Sequence, residues 1–212
     1  MTTPYIIGAC REHQLDAVRS LARVGFHVGF TEKGLQGVLK DLEEIQARGH
    51  LLVATMEDTP VGFAGYDFLR DDLETKEDYI QRQLDYSRHR DQKEWLREER
   101  REIQEMYGCG EVLVEYFENP FTVTEDINTR DEDMVLTHLV INPLFQRKGI
   151  GQALTEARIN IAREEHASVV YVNCWDRGSI SRLYEKLKFH SIIRLGPGYC
   201  DGSPLRMLGL SL

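Results

Sequence analysis

The chain has 212 residues, 42% of them hydrophobic and 29% charged, and a formal net charge of −9. That length suits one domain over residues 1–212 with room for a full core, and the acidic balance argues against DNA or RNA as a partner, because such complexes neutralise phosphates with Lys and Arg. It is compatible with a cationic amine ligand. Cys10, Cys109, Cys174 and Cys200 are far apart, with no C-x-x-C pair and no histidine spacing that suits zinc, so they read as free thiols and no metal is expected. The first residues lack a basic region followed by a long apolar run, and no stretch reaches the roughly 18 apolar residues of a membrane helix. A soluble, reducing, cytoplasmic setting without a membrane partner is the expectation.

Residues 5–9 predict an opening strand, and Leu15, Val18, Leu21, Ala22 and Phe26 then recur at helical spacing. A second helix carries Leu35, Val38, Leu39, Leu42 and Ile45 and ends at Gly49. Residues 51–56 and 61–68 read as a hairpin around the turn Glu57-Asp58-Thr59-Pro60. In residues 70–107 more than half of the side chains are charged, and Leu73, Ile80, Leu84, Trp95, Leu96, Ile103 and Met106 supply only a thin apolar stripe. One long helix or a helical hairpin fits, either as a solvated arm laced with i,i+4 ion pairs or as a lid or dimer contact packed through Tyr79, Tyr86 and Trp95. Residues 111–117 and 121–123 are apolar enough for strand or buried loop, and 126–133 is a polar, acidic connection.

Residues 134–141, MVLTHLVI, form a β-branched run closed by Asn142-Pro143, and Gln146-Arg147-Lys148-Gly149-Ile150-Gly151 leads into Ala153, Leu154, Ala157, Ile161 and Ala162 at helical spacing. A buried strand thus passes through a glycine turn into a helix that starts at about Gly149. The first N–H groups of a helix have no partner within it, and the helix dipole places about half a positive charge there. Glycine lets an anion approach that backbone, and Arg147 and Lys148 add full charges, so phosphate is a suitable ligand. A plain, tightly packed turn with solvated basic residues is the competing reading. The spacing fits neither a Walker A loop nor a dinucleotide fingerprint.

The segment Gln146 to Gly151 resembles the Q/R-x-x-G-x-G/A pattern with which the Gcn5-related N-acetyltransferase (GNAT) family holds the pyrophosphate of acetyl-CoA. Arg182-Leu183-Tyr184-Glu185-Lys186-Leu187-Lys188-Phe189 is similar to that family's L-Y-E-K-L-G-F block, with Lys188 in place of the usual glycine at a helix C-terminal turn. The resemblance implies a mixed, mostly antiparallel twisted sheet. Its central parallel strand pair would be splayed to hold acyl-CoA and flanked by helices, with residues 70–107 as a charged helical insertion. The parallel partner is residues 168–174, the next helix 180–188, and two closing strands at 191–195 and 205–210 flank a Gly- and Pro-rich loop at 196–204 expected to lack regular structure.

If the parallel strands part after Ile141 and Cys174, the cleft offers backbone to the pantetheine arm. The resemblance implies that main-chain atoms of Leu139, Val140 and Ile141 pair with that arm, that Gln146, Arg147, Lys148, Gly149, Ile150, Gly151 and Gln152 hold the pyrophosphate, and that Asn173 reaches the cofactor. Tyr184 matches the family tyrosine that protonates the coenzyme A sulfur, a task that suits a neutral phenol. The base is open. Alternation puts Thr137 and Val135 on one face and His138 on the other; His138 is a buried structural residue or a base, and deprotonation through water assisted by Asp133 or by a residue of the 70–107 insertion is the expectation. Acetyl transfer to a small-molecule amine is the leading expectation, with a possible homodimer. Acetylation of a protein N-terminus or lysine, or acyl-CoA binding without turnover, are the alternatives.

Overall fold

The computed structural model describes residues 4–26, 32–71, 130–175, 178–197 and 204–212. Apart from residues 70 and 71, the charged insertion at 70–107 lies outside the described residues, as do the segments at 111–117 and 121–123. In chain order the elements are β1 (Ile6–Ala9), α1 (Leu15–Phe26), α2 (Glu32–Ala47), β2 (Leu51–Met56), β3 (Thr59–Phe68), β4 (Met134–Ile141), α3 (Ile150–Glu164), β5 (Val169–Trp175), α4 (Gly178–Lys186), β6 (His190–Pro197) and β7 (Pro204–Ser211). The strands form one sheet in the order β1-β2-β3-β4-β5-β7-β6, antiparallel throughout except for the β4–β5 pair.

The apolar periodicity decides which helix covers which face. In α1 the buried positions are Val18, Leu21 and Ala22, and in α2 they include Leu35, Val38, Leu39, Leu42 and Ile45, three and four apart. These stripes close on Leu51, Val53, Phe63 and Val140 to form a core on one side of the sheet. On the other side Ile150, Leu154, Ile159 and Ala162 of α3, with Tyr184 and Phe189, pack against Leu52, Ala54, Ala64, Met134 and Leu136.

Two turn expectations are corrected. Glu57 and Asp58 both take left-handed φ, 49° and 61°, so the β2–β3 hairpin closes in two residues and Thr59 and Pro60 join β3. Two left-handed residues match the twist of the flanking strands, which a right-handed two-residue turn would splay. The 196–204 loop is likewise shorter than expected: Gly196 pairs with Leu205, and Pro197 with Pro204. Proline is tolerated there because the pair closes the ladder and β6 is an edge strand.

Candidate functional site

The parallel pairing of β4 and β5 is short, matching Met134, Leu136 and the residue between them to Val170–Val172 alone, so the strands part at Thr137 and Asn173, earlier than the sequence suggested. Beyond that point β4 stays on β3 and β5 stays on β7. Asn142 N donates to Val61 O at 2.9 Å on the β3 side. Backbone groups alternate along a strand, so the main chains of Leu139 and Ile141 face the cleft while Val140 bonds to β3. Val140 therefore departs from its expected role, and its side chain is buried against α1 and α2. Asn173, the first β5 residue past the pairing, is exposed.

The anion turn follows directly on β4. Asn142 Oδ1 accepts from Leu144 N at 3.1 Å and starts the short turn Pro143–Phe145. Gln146 extends its side chain back, donating Nε2 to Ile141 O at 3.1 Å. Arg147 has φ 63° and Gly149 φ 84°, and Gly149 is the N-cap of α3 with no side-chain cap. The first intrahelical bond is Ala153 N to Gly149 O, so the amides of Ile150, Gly151 and Gln152 have no partner inside the helix. Such a bare, glycine-lined start fits a phosphate. A Cβ on Gly149 or Gly151 would meet only ordinary contacts, the Tyr5 hydroxyl at 3.9 Å and Ile141 at 3.7 Å, so it is the left-handed φ of Gly149 that favours glycine here. Arg147 and Lys148 are exposed, with Lys148 Nζ 4.9 Å from the Phe145 ring centroid, whereas the Ile150 side chain is buried in the core and offers only its amide. Gln152 donates to Glu156 at 2.8 Å and accepts from Lys186 Nζ at 2.7 Å. Lys186 and Tyr5, which sequence reasoning did not single out, thus border the turn.

A bulge reshapes β4 where it leaves β5. The β3–β4 register jumps between Ala64 and Tyr66, so Thr137 and His138 together oppose Gly65. The alternation expected for His138 is overturned: its ring lies 5.8 Å edge-on from Phe26 of α1, and its Nε2 is 3.8 Å from Asp41 of α2. Thr137 faces the same way, since a Cβ on Gly65 would collide with its hydroxyl beside Ile45 of α2. Across the sheet the Tyr184 phenol is buried and packs at 5.2 Å on Phe189. Burial pushes its pKa up, and Cys174 adds to the rise, while the Arg158 guanidinium opposes it. The phenol is neutral at pH 7 and able to donate. Lys188 holds φ 70° at the end of α4, the left-handed turn that glycine usually takes.

Asp133 does not match its expectation. It is fully buried at the entrance of β4, where the two parallel strands are still paired, and its carboxylate accepts three backbone N–H groups: Arg130 at 2.9 Å, Ser168 at 2.9 Å and Val169 at 2.9 Å. A carboxylate so used clamps the starts of β4 and β5 together.

A mixed sheet whose one parallel pair parts above a bare helix start is the architecture of GNAT-type acyltransferases. The model of the acetyltransferase (GNAT) family matches residues 70–189, more than half of the chain. The chain belongs to that family. No curated protein matches the sequence. Among solved structures it is similar to a GNAT-family acetyltransferase from Desulfovibrio desulfuricans, with TM-score 0.60, 15% identity and 98% and 99% of the two chains covered. It is also similar to a ribosomal-protein-alanine N-acetyltransferase from Brucella melitensis, with TM-score 0.59, 16% identity and 98% and 99% covered. A third, yncA from Salmonella typhimurium, solved with acetyl-CoA, gives TM-score 0.57 at 14% identity with 99% and 94% covered. At these identities the likeness is one of fold. Among the described residues no helix is long and apolar enough to cross a membrane.

Proposed function

We propose that this protein is an acetyl-CoA-dependent N-acetyltransferase that passes an acetyl group directly to the amine of a small molecule, and that residues 1–212 act as one catalytic domain. The observation that carries the reading is the parting of β4 from β5 immediately beside the bare start of α3. The cleft backbone of Leu139 and Ile141 suits an amide-bearing arm, and the amides of Ile150, Gly151 and Gln152, with Arg147 and Lys148, suit a pyrophosphate. Gln146 shapes this turn through its bond to Ile141 O, while Asn173 stands at the mouth of the parting.

Thioesters are already activated, so the protein has to place a neutral amine against the carbonyl, take up the proton that the amine loses, and return a proton to the departing sulfur. Tyr184 serves as the acid. Its phenolic proton passes to the thiolate sulfur as the carbon–sulfur bond breaks, and the resulting phenolate regains a proton from solvent. His138 replaces Asp133 as the base, directly or through a water, because the bulge turns it toward α1 and α2, the helices that wall the acceptor site by family resemblance. The small-molecule acceptor rests on the acidic chain and on reading the charged insertion as a lid.

Titration calorimetry with acetyl-CoA, followed by thiol release against small amines, alanine-ended peptides and lysine peptides, tests the proposal. Binding with turnover on small amines supports it, and turnover confined to peptides moves the assignment to protein acetylation. Tyr184→Phe should lower kcat by about 10²-fold with acetyl-CoA affinity nearly unchanged. Unchanged kcat removes Tyr184 from the mechanism.

A further inference from the structure

Arg158 lies in the middle of α3, wholly buried, and no carboxylate pairs with it among the described residues. Its Nη1 donates to Gly65 O at 2.8 Å and to Thr137 O at 3.0 Å. These are carbonyls of the two strands at the bulge, where the ladder is broken and main-chain acceptors need a donor from elsewhere. Its Nη2 donates to Thr155 Oγ1 at 3.1 Å, and Thr155 in turn donates to Gly151 O at 2.9 Å in the first turn of α3. Nε has no hydrogen-bond partner among the described residues. The guanidinium also interacts with the Tyr184 phenol. One buried cation therefore connects the bulge, the anion turn and the proposed acid. Burying a charge without a counter-ion is costly, and a neutral side chain of similar volume could fill the same space.

We propose that Arg158 is a positioning residue for acetyl transfer: it fixes the β4 bulge, and with it His138 and the parting of β4 from β5, and it presents its uncompensated charge to the Tyr184 phenol. The proposal rests on the acetyltransferase reading above. The planar fork suits the task, because two carbonyls and a hydroxyl are met from fixed directions by a group that stays charged. When Tyr184 surrenders its proton, the phenolate forms beside this cation. Among the described residues the ionisable groups around Tyr184 are Arg158 from α3 and Cys174 from β5, with Phe189 as an apolar wall.

The test compares Arg158→Lys, Arg158→Gln, Thr155→Ser and Thr155→Val with wild type in the full chain. Three readouts apply: acetyl-CoA affinity by calorimetry, kcat across pH, and the NMR signals of the His138 ring. The lysine variant keeps the charge and loses the fork, so kcat should fall by about 10²-fold with acetyl-CoA Kd within about threefold. The glutamine variant loses the charge as well, so the alkaline limb of its kcat profile should move to higher pH, as Tyr184 becomes the weaker acid. Thr155→Ser keeps the hydroxyl acceptor of Arg158 and serves as the folded control with wild-type His138 signals, whereas Thr155→Val removes it and should displace the His138 signals and lower kcat about fivefold. Folded variants with lower Tm but unmoved His138 signals and wild-type kcat would make Arg158 a structural residue only. Failure of wild type to bind acetyl-CoA would overturn the acetyltransferase reading instead, and the His138 signals would still report on Arg158.

Discussion

Replacing Asp133 with asparagine separates a structural carboxylate from a catalytic one. Oδ1 accepts from both Ser168 N and Val169 N, and Oδ2 from Arg130 N, all at 2.9 Å. Asparagine has one acceptor oxygen. If that oxygen keeps Ser168 and Val169, the side-chain NH2 faces the Arg130 amide, donor against donor. A buried donor left unsatisfied costs about 1–3 kcal/mol, and two bonds that lose their charge assistance cost about 1 kcal/mol each, or about 3–5 kcal/mol in all. That is a large share of the stability of a typical domain, about 5–15 kcal/mol. The assay is urea unfolding followed by far-UV circular dichroism. With a slope of about 2 kcal/mol/M, the midpoint should fall by about 2 M at unchanged slope, while the pH profile of turnover under folding conditions keeps its shape. A variant with a wild-type midpoint and a lost acid limb of kcat would refute this reasoning and return Asp133 to the role of base.

Gly149→Ala should weaken acetyl-CoA binding about tenfold by calorimetry and cost about 1–2 kcal/mol of stability, because φ 84° is a conformation that L residues adopt only under strain; unaltered Kd would move the anion site away from this turn. Burial pushes the Cys10 thiol up from 9.0 to about 11. Its thiolate fraction at pH 8 is then about 100-fold below that of the unfolded chain, and iodoacetamide should label Cys10 about 100-fold more slowly in native than in denatured protein. Because the folded pKa is the higher one, this thiol's contribution to stability is complete below about pH 9 and is lost as pH rises toward about 11. Equal labelling rates would show that the thiol is not shielded.

Much of the scaffold was legible because it depends on local signals. The stripes of α1 and α2, the β-branched runs of β4 and β5 and the glycines ahead of α3 each announce an element within a few residues. What stayed hidden depends on partners far away in the chain. The bulge arises because Gly65 accepts two residues opposite it, and strict alternation along β4 therefore put His138 on the wrong face. Arg158 reads as an ordinary polar position of an amphipathic helix; its acceptor Gly65 is 93 residues away. The three donors that hold Asp133 include Ser168, just before β5, and Val169, its first residue, 35 and 36 positions later. No window of sequence displays such satisfaction of buried polar groups, since any Asp or Arg looks solvated until its partners are known.

The C-terminal hairpin carries a consequence for the order in which the molecule assembles. All seven residues of β5 pair with β7, but only three pair with β4. One wall of the cleft is therefore secured mainly by the strand that comes last in chain order among those described. β1 to β4 and their two covering helices precede it in the chain and can assemble first, through the β2–β3 hairpin and slower pairings of β1 and β4, whereas the cleft waits for residues 204–211. A nascent chain stalled before that point would hold a sheet of β1 to β5 with β5 as an open edge, prone to pair with another chain. The cleft in this protein is thus completed only once β7 has joined β5.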